Sequence, residues 1–192
     1  MRTALIVSLL LAAAATRANA APWEPDAGAQ AQLRLGEAYT DVSAEPGDVG
    51  LIHGAIDIAA TPQRVWQVMT DCRETPKLIT SADPCRVLQS GPGWDVREQV
   101  THGGFLVPTI HNVYRSDYQP YSLIRFHRVA GDLKVETGEW RLEPLNGGLG
   151  TRVIYVNEVA ANILAPAALV RAGLRDDTPK VLMNLRREST GH

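Results

Sequence analysis

Apolar and polar residues alternate along much of the chain, and the alternation is clear from residue 50 onward. In the segment GLIHGAIDIAA, Ile52, Ile56 and Ile58 fall on one side of an extended chain, while His53 and Asp57 fall on the other. Successive side chains of a β-strand point to opposite faces, so this segment predicts a strand with one buried face.

A helix is predicted directly after this strand, in the segment ATPQRVWQVMTD. Thr61 is a good N-cap residue, and Pro62 at the first helical position loses no hydrogen bond that the helix needs. Val65 and Val68 recur at helical spacing and predict one apolar face. Pro76 is expected to end or redirect the helix, and a short second helical turn is expected after it.

Six further strand-like runs follow, and turn-forming residues separate each run from the next. The turns contain these residues: Gly91-Pro92-Gly93, Gly103-Gly104, Pro120, Gly131-Asp132 and Asn146-Gly147-Gly148. Sequential strands joined by short turns predict an antiparallel meander. In the run YSLIRFHRV, Ile124 and Phe126 are expected to face the core, and Arg125 and His127 to face solvent.

Helical periodicity returns in residues 165–187, where Ala, Leu and Val dominate. Pro179 lies within this segment, so either one kinked helix or two collinear helices are predicted. The order of strand, short helix pair, six strands and long helix predicts an α+β fold. We expect a curved antiparallel sheet of about seven strands wrapped around the C-terminal helix.

The first twenty residues have the layout of a secretory signal peptide. Arg2 precedes an apolar run over residues 4–15, and Ala18-Asn19-Ala20 forms a small-residue cleavage pattern. The run is too short to cross a bilayer as a helix. We therefore predict a signal peptide at 1–20, an N-terminal arm at 21–48 with a weak strand at 33–42, and one domain at 49–192. The location predicted for the mature protein is the periplasm or the medium.

The two cysteines, Cys72 and Cys85, are the only ones in the chain. An oxidising compartment favours their pairing as a disulfide. Closing that loop would stabilise the fold by about 3 kcal/mol on the chain-entropy model. Two buried free thiols are the alternative.

Composition argues against several classes of function. The net charge is −2 and no run of Lys or Arg occurs, so nothing indicates nucleic-acid binding or an electrostatic membrane anchor. The five histidines show no metal-ligand spacing, and no phosphate-binding loop is present. We therefore expect no metal and no cofactor.

Two motifs carry a resemblance to a known family. The entry motif consists of Ile56, Ile58, Ala60, Pro62, Val65, Trp66 and Asp71, and the later motif consists of Gly138, Trp140, Gly150 and Thr151. Over residues 50–187 the chain resembles the START-like (SRPBCC) superfamily, and within it the polyketide cyclase/dehydrase and coenzyme-Q-binding branch. The resemblance implies a helix-grip fold with a deep cavity between the sheet and the C-terminal helix.

The resemblance also implies an apolar ligand, and aromatic side chains are the first candidates to contact it. The candidate cavity residues are Trp94, Tyr114, Trp140, Tyr155, His111 and Leu182. Ordinary core packing is the alternative for the aromatic residues, and an outward orientation is the alternative for His111. The segment GGFLVP is either a gate that touches membrane or the start of the next strand.

The function expected from this reasoning is the binding or transfer of a hydrophobic small molecule by an exported protein. The ligand classes are lipid, isoprenoid, sterol and polyketide. Two alternatives are a polyketide cyclase/dehydrase-like enzyme acting on an aromatic or apolar substrate, and a protein-binding module whose cavity is filled. We expect a monomer with transient membrane contact and no nucleic-acid partner.

Overall fold

The computed structural model describes residues 21–103, 108–161 and 166–191. The helices are α1 (Ala27–Arg34), α2 (Pro62–Thr70), α3 (Thr75–Leu78) and α4 (Ala167–Thr190). The strands are β1 (Tyr39–Glu45), β2 (Val49–Ile58), β3 (Arg86–Gly91), β4 (Trp94–Thr101), β5 (Ile110–Gln119), β6 (Leu123–Gly131), β7 (Leu133–Leu145) and β8 (Gly150–Ala161). Short 3₁₀ turns occupy Cys72–Glu74 and Asn146–Gly148.

The strands form one antiparallel sheet in the order β1-β2-β8-β7-β6-β5-β4-β3. The predicted helix-grip arrangement is confirmed, because α4 packs on this sheet and a short helix pair follows β2. The described residues contain eight strands rather than about seven, and β1 is the additional one. It pairs along its whole length with β2 at one edge of the sheet.

The segment before β2 contains more regular structure than an arm with a weak strand at 33–42. Leu33 lies in the last turn of α1, where it is buried, and the strand begins only at Tyr39. The carboxylate of Asp26 caps α1 by accepting a hydrogen bond from the Ala29 amide at 2.8 Å. Val42 is buried against Ile52, its partner in β2.

The predicted start of α2 is confirmed in detail. The Thr61 hydroxyl accepts a hydrogen bond from the Arg64 amide at 3.3 Å, and Pro62 occupies the first turn. Val65 and Val68 are buried in the main core cluster. The remaining buried members of that cluster come from β2, β7, β8 and α4: Ile56, Ile58, Leu142, Val153, Leu182 and Leu185.

α4 runs as one helix through Pro179 rather than as two. Its N-terminal half packs Leu174 against the cluster of Val42, Ile52 and Val159, while its C-terminal half packs against the main cluster. Arg64 donates a hydrogen bond to the carbonyl of Glu188 at 2.7 Å and holds the end of α4 beside α2. No helix in the described residues is long and apolar enough to cross a bilayer.

The predicted disulfide is present, and it joins Cys72, just after α2, to Cys85, just before β3. The Cα atoms of the two residues are 4.7 Å apart. The amide of Cys85 also donates a hydrogen bond to the carbonyl of Cys72 at 3.3 Å. The bridge therefore ties the short helices to the far edge of the sheet.

Candidate ligand cavity

A cavity of about 180 Å³ lies between the concave face of the sheet, the short helices and α4. Residues from the helices and the loop after them line one side, and residues from β4 to β8 line the other. The lining consists of Met69, Thr75, Leu78, Ile79, Arg97, Gln99, Tyr114, Ser116, Tyr118, Ile124, Phe126, Trp140, Tyr155, Val181 and Leu185.

One wall of the cavity is apolar and mostly aromatic. The sheet register places Ile124, Trp140 and Tyr155 side by side on β6, β7 and β8. The rings of Trp140 and Tyr155 stack with centroids 3.9 Å apart, and Phe126 lies 6.3 Å from Tyr155. A flat apolar molecule would find a large and rigid contact surface here.

The neighbouring wall is polar and comes from β4 and β5, beside the aromatic wall on the same sheet. Arg97 is 8% exposed, and its Nε donates a hydrogen bond to Asp95 Oδ2 at 2.8 Å. Its Nη2 donates to the carbonyl of Thr70 at 2.9 Å. Tyr118 donates its hydroxyl hydrogen to Asp95 Oδ1 at 2.8 Å. The positive charge of Arg97 is therefore neutralised inside the protein, as a buried charge requires.

Three buried tyrosine hydroxyls remain protonated at neutral pH. Burial raises the pKa of Tyr114 to about 12. Burial also raises the pKa of Tyr118 and that of Tyr155. Tyr114 and Tyr155 can donate hydrogen bonds to a ligand, whereas the hydroxyl hydrogen of Tyr118 is already donated to Asp95. None of the three hydroxyl groups is a base at neutral pH.

The structure brings together three of the six candidate cavity residues, namely Tyr114, Trp140 and Tyr155. Trp94 lies on the outer face of β4, where the guanidinium of Arg115 stacks 4.2 Å from the ring centroid. His111 is exposed, and its backbone amide donates to Asp132. Neither residue lines the cavity.

Leu182 also lies outside the lining. It is fully buried in the main core, and one of its methyl carbons would lie 3.3 Å from a Cβ placed on Gly54 of β2. Its neighbour Val181 and the residue one turn later, Leu185, present the apolar surface of α4 to the cavity. Leu182 therefore anchors the helix, and Val181 and Leu185 close the site.

The polar wall was not predicted from the sequence, because the buried face of β4 is the polar one and not the one that its hydrophobic pattern indicates. Trp94 and Val96 predict that the even-numbered positions face the core, yet Asp95 and Arg97 are the buried pair. The spacing of Asp95 and Arg97 could have indicated this wall. An acid and a base two residues apart on one strand point to the same face and can neutralise each other.

The described histidines lie elsewhere. His53 stacks on Trp23 at 4.6 Å, His102 lies 3.0 Å from Asp83, and the side chain of His127 is exposed on β6. In the parts of the chain that the structure describes, no group of His, Cys, Asp or Glu is arranged to hold a metal ion.

Comparison with known structures shows the fold. The aromatase/cyclase Zhui from a Streptomyces species is 15% identical, with a TM-score of 0.63 over 74% of this chain and 94% of that one. A STAR-related lipid transfer protein from Xanthomonas axonopodis is 14% identical, with a TM-score of 0.65 over 79% and 98%. The lipid transfer and protein localization domain of human StarD13 is 11% identical, with a TM-score of 0.64 over 84% and 94%.

No curated protein matches the chain. A family model does match it, over residues 58–186, and describes polyketide cyclases/dehydrases and lipid transport proteins. That range begins at the end of β2 and extends into the last turns of α4, so it contains every residue that lines the cavity. The chain therefore belongs to the polyketide cyclase/dehydrase and lipid transport family of the START-like superfamily.

Proposed function

We propose that this protein binds an uncharged hydrophobic small molecule in the cavity beneath α4. The observation that carries the proposal is the division of the lining into an aromatic wall and a hydrogen-bonding wall. Binding sites for small molecules have this composition, with mostly apolar surface and a few polar groups that fix orientation. Because Asp95 already neutralises Arg97, the cavity offers no unpaired cation to a carboxylate or phosphate there.

The size and shape of the cavity favour a compact ring system. Its volume of about 180 Å³ is below the range of roughly 300–1,000 Å³ that is typical for drug-sized ligands. The stacked rings of Trp140 and Tyr155 suit a flat aromatic molecule better than an extended chain. Of the ligand classes expected from the sequence, an aromatic polyketide fits this site best.

A cyclase or dehydrase activity is the second candidate, and the polar wall is the observation that favours it. Tyr114 could polarise a carbonyl group of the substrate by donating a hydrogen bond, whereas the hydroxyl hydrogen of Tyr118 is already donated to Asp95. Acid–base catalysis also needs a group that accepts a proton near neutral pH. Among the residues that line the cavity, Tyr114 and Tyr118 have raised pKa values and do not act as bases near neutral pH, so the lining favours binding over catalysis.

The proposed site of action is outside the cytoplasm. The Cys72–Cys85 disulfide supports export, since such bonds persist in oxidising compartments. The predicted signal peptide lies outside the described residues, as do residues 104–107 of the segment GGFLVP. Transient membrane contact and a monomeric state remain predictions.

The proposal is tested with naphthalene, an uncharged two-ring probe, by calorimetric titration of the disulfide-bonded protein. We expect saturable binding. Val181→Trp should fill the cavity from α4 and weaken that binding at least tenfold. Met183→Trp is the matched control, because Met183 lies on the exposed side of the same helix turn. Failure of the wild type to bind would contradict the proposal, as would equal loss of affinity in both variants.

A transfer protein and an enzyme are distinguished by whether the natural ligand is changed chemically. Native mass spectrometry of protein purified from its own source should reveal the bound molecule. Prolonged incubation with excess of that molecule should release it unchanged if the protein is a carrier. A product lighter by one water molecule would support the dehydrase alternative.

A further inference from the structure

A second group of polar side chains lies on the concave face, next to the aromatic wall. Asn112, Glu136 and Asn157 come from β5, β7 and β8, and we call them the acceptor cluster. Asn112 lies two residues before Tyr114, and Asn157 lies two residues after Tyr155. Alternate residues of a strand share a face, so the cluster points to the same side of the sheet as these two cavity tyrosines.

The cluster is linked to the cavity by hydrogen bonds. The side-chain amide of Asn157 donates to the hydroxyl oxygen of Tyr155 at 2.8 Å. The side-chain amide of Asn112 donates to Glu136 Oε2 at 2.7 Å. The hydroxyl group of Tyr155, whose ring forms part of the aromatic wall, therefore connects the two regions.

The cluster contains buried polar atoms that the described residues leave without a partner. Asn112 is 9% exposed and Asn157 is 5% exposed, and Oδ1 of each is buried without a hydrogen-bond partner among the described residues. Turning the Asn112 amide would place its oxygen against the Glu136 carboxylate, which is unfavourable. Either orientation of Asn157 leaves one amide atom without a partner. Buried polar groups in proteins are nearly always paired, so Oδ1 of Asn112 calls for a hydrogen-bond donor from a bound molecule. The unpaired amide atom of Asn157 calls for a donor or an acceptor according to its orientation, and a hydroxyl group can serve as either.

The charges around the cluster select the kind of donor. Glu136 is largely buried, and burial raises its pKa, while the amide of Asn112 and the charge of Arg128 act in the opposite direction. Arg128 directs Nη2 to the carbonyl of Gly131 at 2.9 Å. Tyr114 and Tyr155 are the other titratable groups that interact with Glu136. A carboxylate ligand would place its oxygens against the oxygens of Glu136 and Asn112, whereas a neutral hydroxyl group could donate a hydrogen bond to them.

We propose that Asn112, Glu136 and Asn157 form a polar subsite that binds the hydroxyl group of the hydrophobic ligand. The ligands of this protein are then phenols and apolar alcohols, rather than hydrocarbons or fatty acids. This inference rests on the proposed function, because it assigns the polar end of the molecule whose ring system occupies the cavity.

The subsite is tested by comparing three probes of similar size, namely naphthalene, 2-naphthol and 2-naphthoate, with the wild-type protein at pH 7. A gained hydrogen bond to a buried acceptor should make 2-naphthol bind about tenfold more tightly than naphthalene. The affinity for 2-naphthoate should be the lowest of the three. Equal affinities for naphthalene and 2-naphthol would overturn the subsite and leave the proposed function standing. Absence of binding by all three probes would contradict the proposed function itself.

Substitutions in the cluster test whether the hydroxyl group of 2-naphthol binds there. Glu136→Gln and Asn157→Leu should bring the ratio of 2-naphthol affinity to naphthalene affinity close to one, without changing the affinity for naphthalene. Glu139→Gln is the matched control on the same strand, since Glu139 lies on the outer face beside Arg125 and Arg141. An unchanged ratio in both test variants would place the hydroxyl group elsewhere. If a variant does not fold, the wild-type comparison alone still decides.

Discussion

Arg97 and Glu136 are both charged residues on the concave face, but they are accommodated differently. Arg97 is paired with Asp95 on its own strand and donates a further hydrogen bond to the carbonyl of Thr70. Glu136 accepts one hydrogen bond from an amide group, and burial raises its pKa. The first arrangement fixes a wall of the cavity, and the second leaves hydrogen-bonding capacity for a ligand.

The stability of the protein should depend on pH through Glu136. Because its folded-state pKa is raised, this group stabilises the fold most below its unfolded pKa. That contribution is lost as the pH rises through the folded pKa. Glu136→Gln cannot ionise, so its free energy of unfolding relative to wild type should increase between pH 4 and pH 7. Urea unfolding at the two pH values measures this difference.

Glu139→Gln serves as the control for that experiment, because Glu139 lies on the outer face beside two arginines. Wild-type and Glu136→Gln stabilities that changed in parallel with pH would show that Glu136 ionises as freely in the folded chain as in the unfolded one.

The orientation of individual strand residues could be predicted only where the apolar positions are also the buried ones. On β6, Ile124 and Phe126 are buried while Arg125 and His127 are exposed, as predicted. On β4 the same rule fails, because Asp95 and Arg97 satisfy each other and can be buried together. Alternation of apolar and polar residues indicates which strand face is buried only when that face is apolar. A polar cavity wall therefore cannot be predicted from it.

At the scale of elements, α2 and the strands of the meander follow from local signals, whereas α1, β1 and the continuity of α4 do not. Ala, Gln, Pro and Gly before Tyr39 are typical of a loop, yet pairing with β2 makes Tyr39–Glu45 a strand. Pro179 disfavours a continuous helix, yet both halves of α4 pack on the sheet, through Leu174 and Leu182. Tertiary packing outweighs local preference in each case.

Adjacent residues of α4 should respond very differently to truncation. Leu182 is fully buried, so Leu182→Ala should lower the free energy of unfolding by about 2–5 kcal/mol through lost burial and a residual cavity. Met183 is 45% exposed, and Met183→Ala should change it by less than about 0.5 kcal/mol. Urea denaturation of the two variants measures both values. Similar losses in both would contradict the assignment of Leu182 to the core and Met183 to the surface.

The disulfide should contribute to stability and to the site. Cys85→Ser opens a loop of sequence separation 13 and should lower the free energy of unfolding by about 2–4 kcal/mol. Thr75, Leu78 and Ile79 line the cavity within that loop, so naphthalene affinity should fall as well. Denaturation and titration of oxidised wild type, reduced wild type and the variant test both effects. Reduced and oxidised proteins of equal stability would show that the bridge constrains little.

At the scale of the whole molecule, the fold was predictable and the site was only partly so. Motifs such as Pro62, Trp66 and Gly138 lie where the chain passes between elements or packs closely, and they identify the family. Gly138 illustrates the reason, because a Cβ there would collide with the carbonyl oxygen of Val156 and the ring of Phe126. The cavity combines Arg97 with Tyr155 and Leu185, which are far apart in sequence, so local pattern could not assemble it.

The proposed export leads to a prediction about the N-terminus of the mature protein. The mature protein should begin at Ala21, and its intact mass should match that start when it is purified from its natural source. Ala20→Arg should block cleavage, because signal peptidase sites require small residues. A full-length wild-type product in the cytoplasm would contradict export, and correct processing of the variant would contradict cleavage after Ala20.

The pairing of β2 with β8 has a consequence for how the chain folds. The strands from β3 to β8 each pair with the next strand along the chain, so successive hairpins can build them. β2 ends at Ile58, whereas its inner partner begins only at Gly150. Closing that long loop carries an entropic cost that the hairpins avoid, which makes it a late event. A chain emerging N-terminus first would therefore hold β1 and β2, which can pair with each other, without their inner neighbour β8 until nearly all of it had appeared, a state compatible with passage across a membrane before folding is complete.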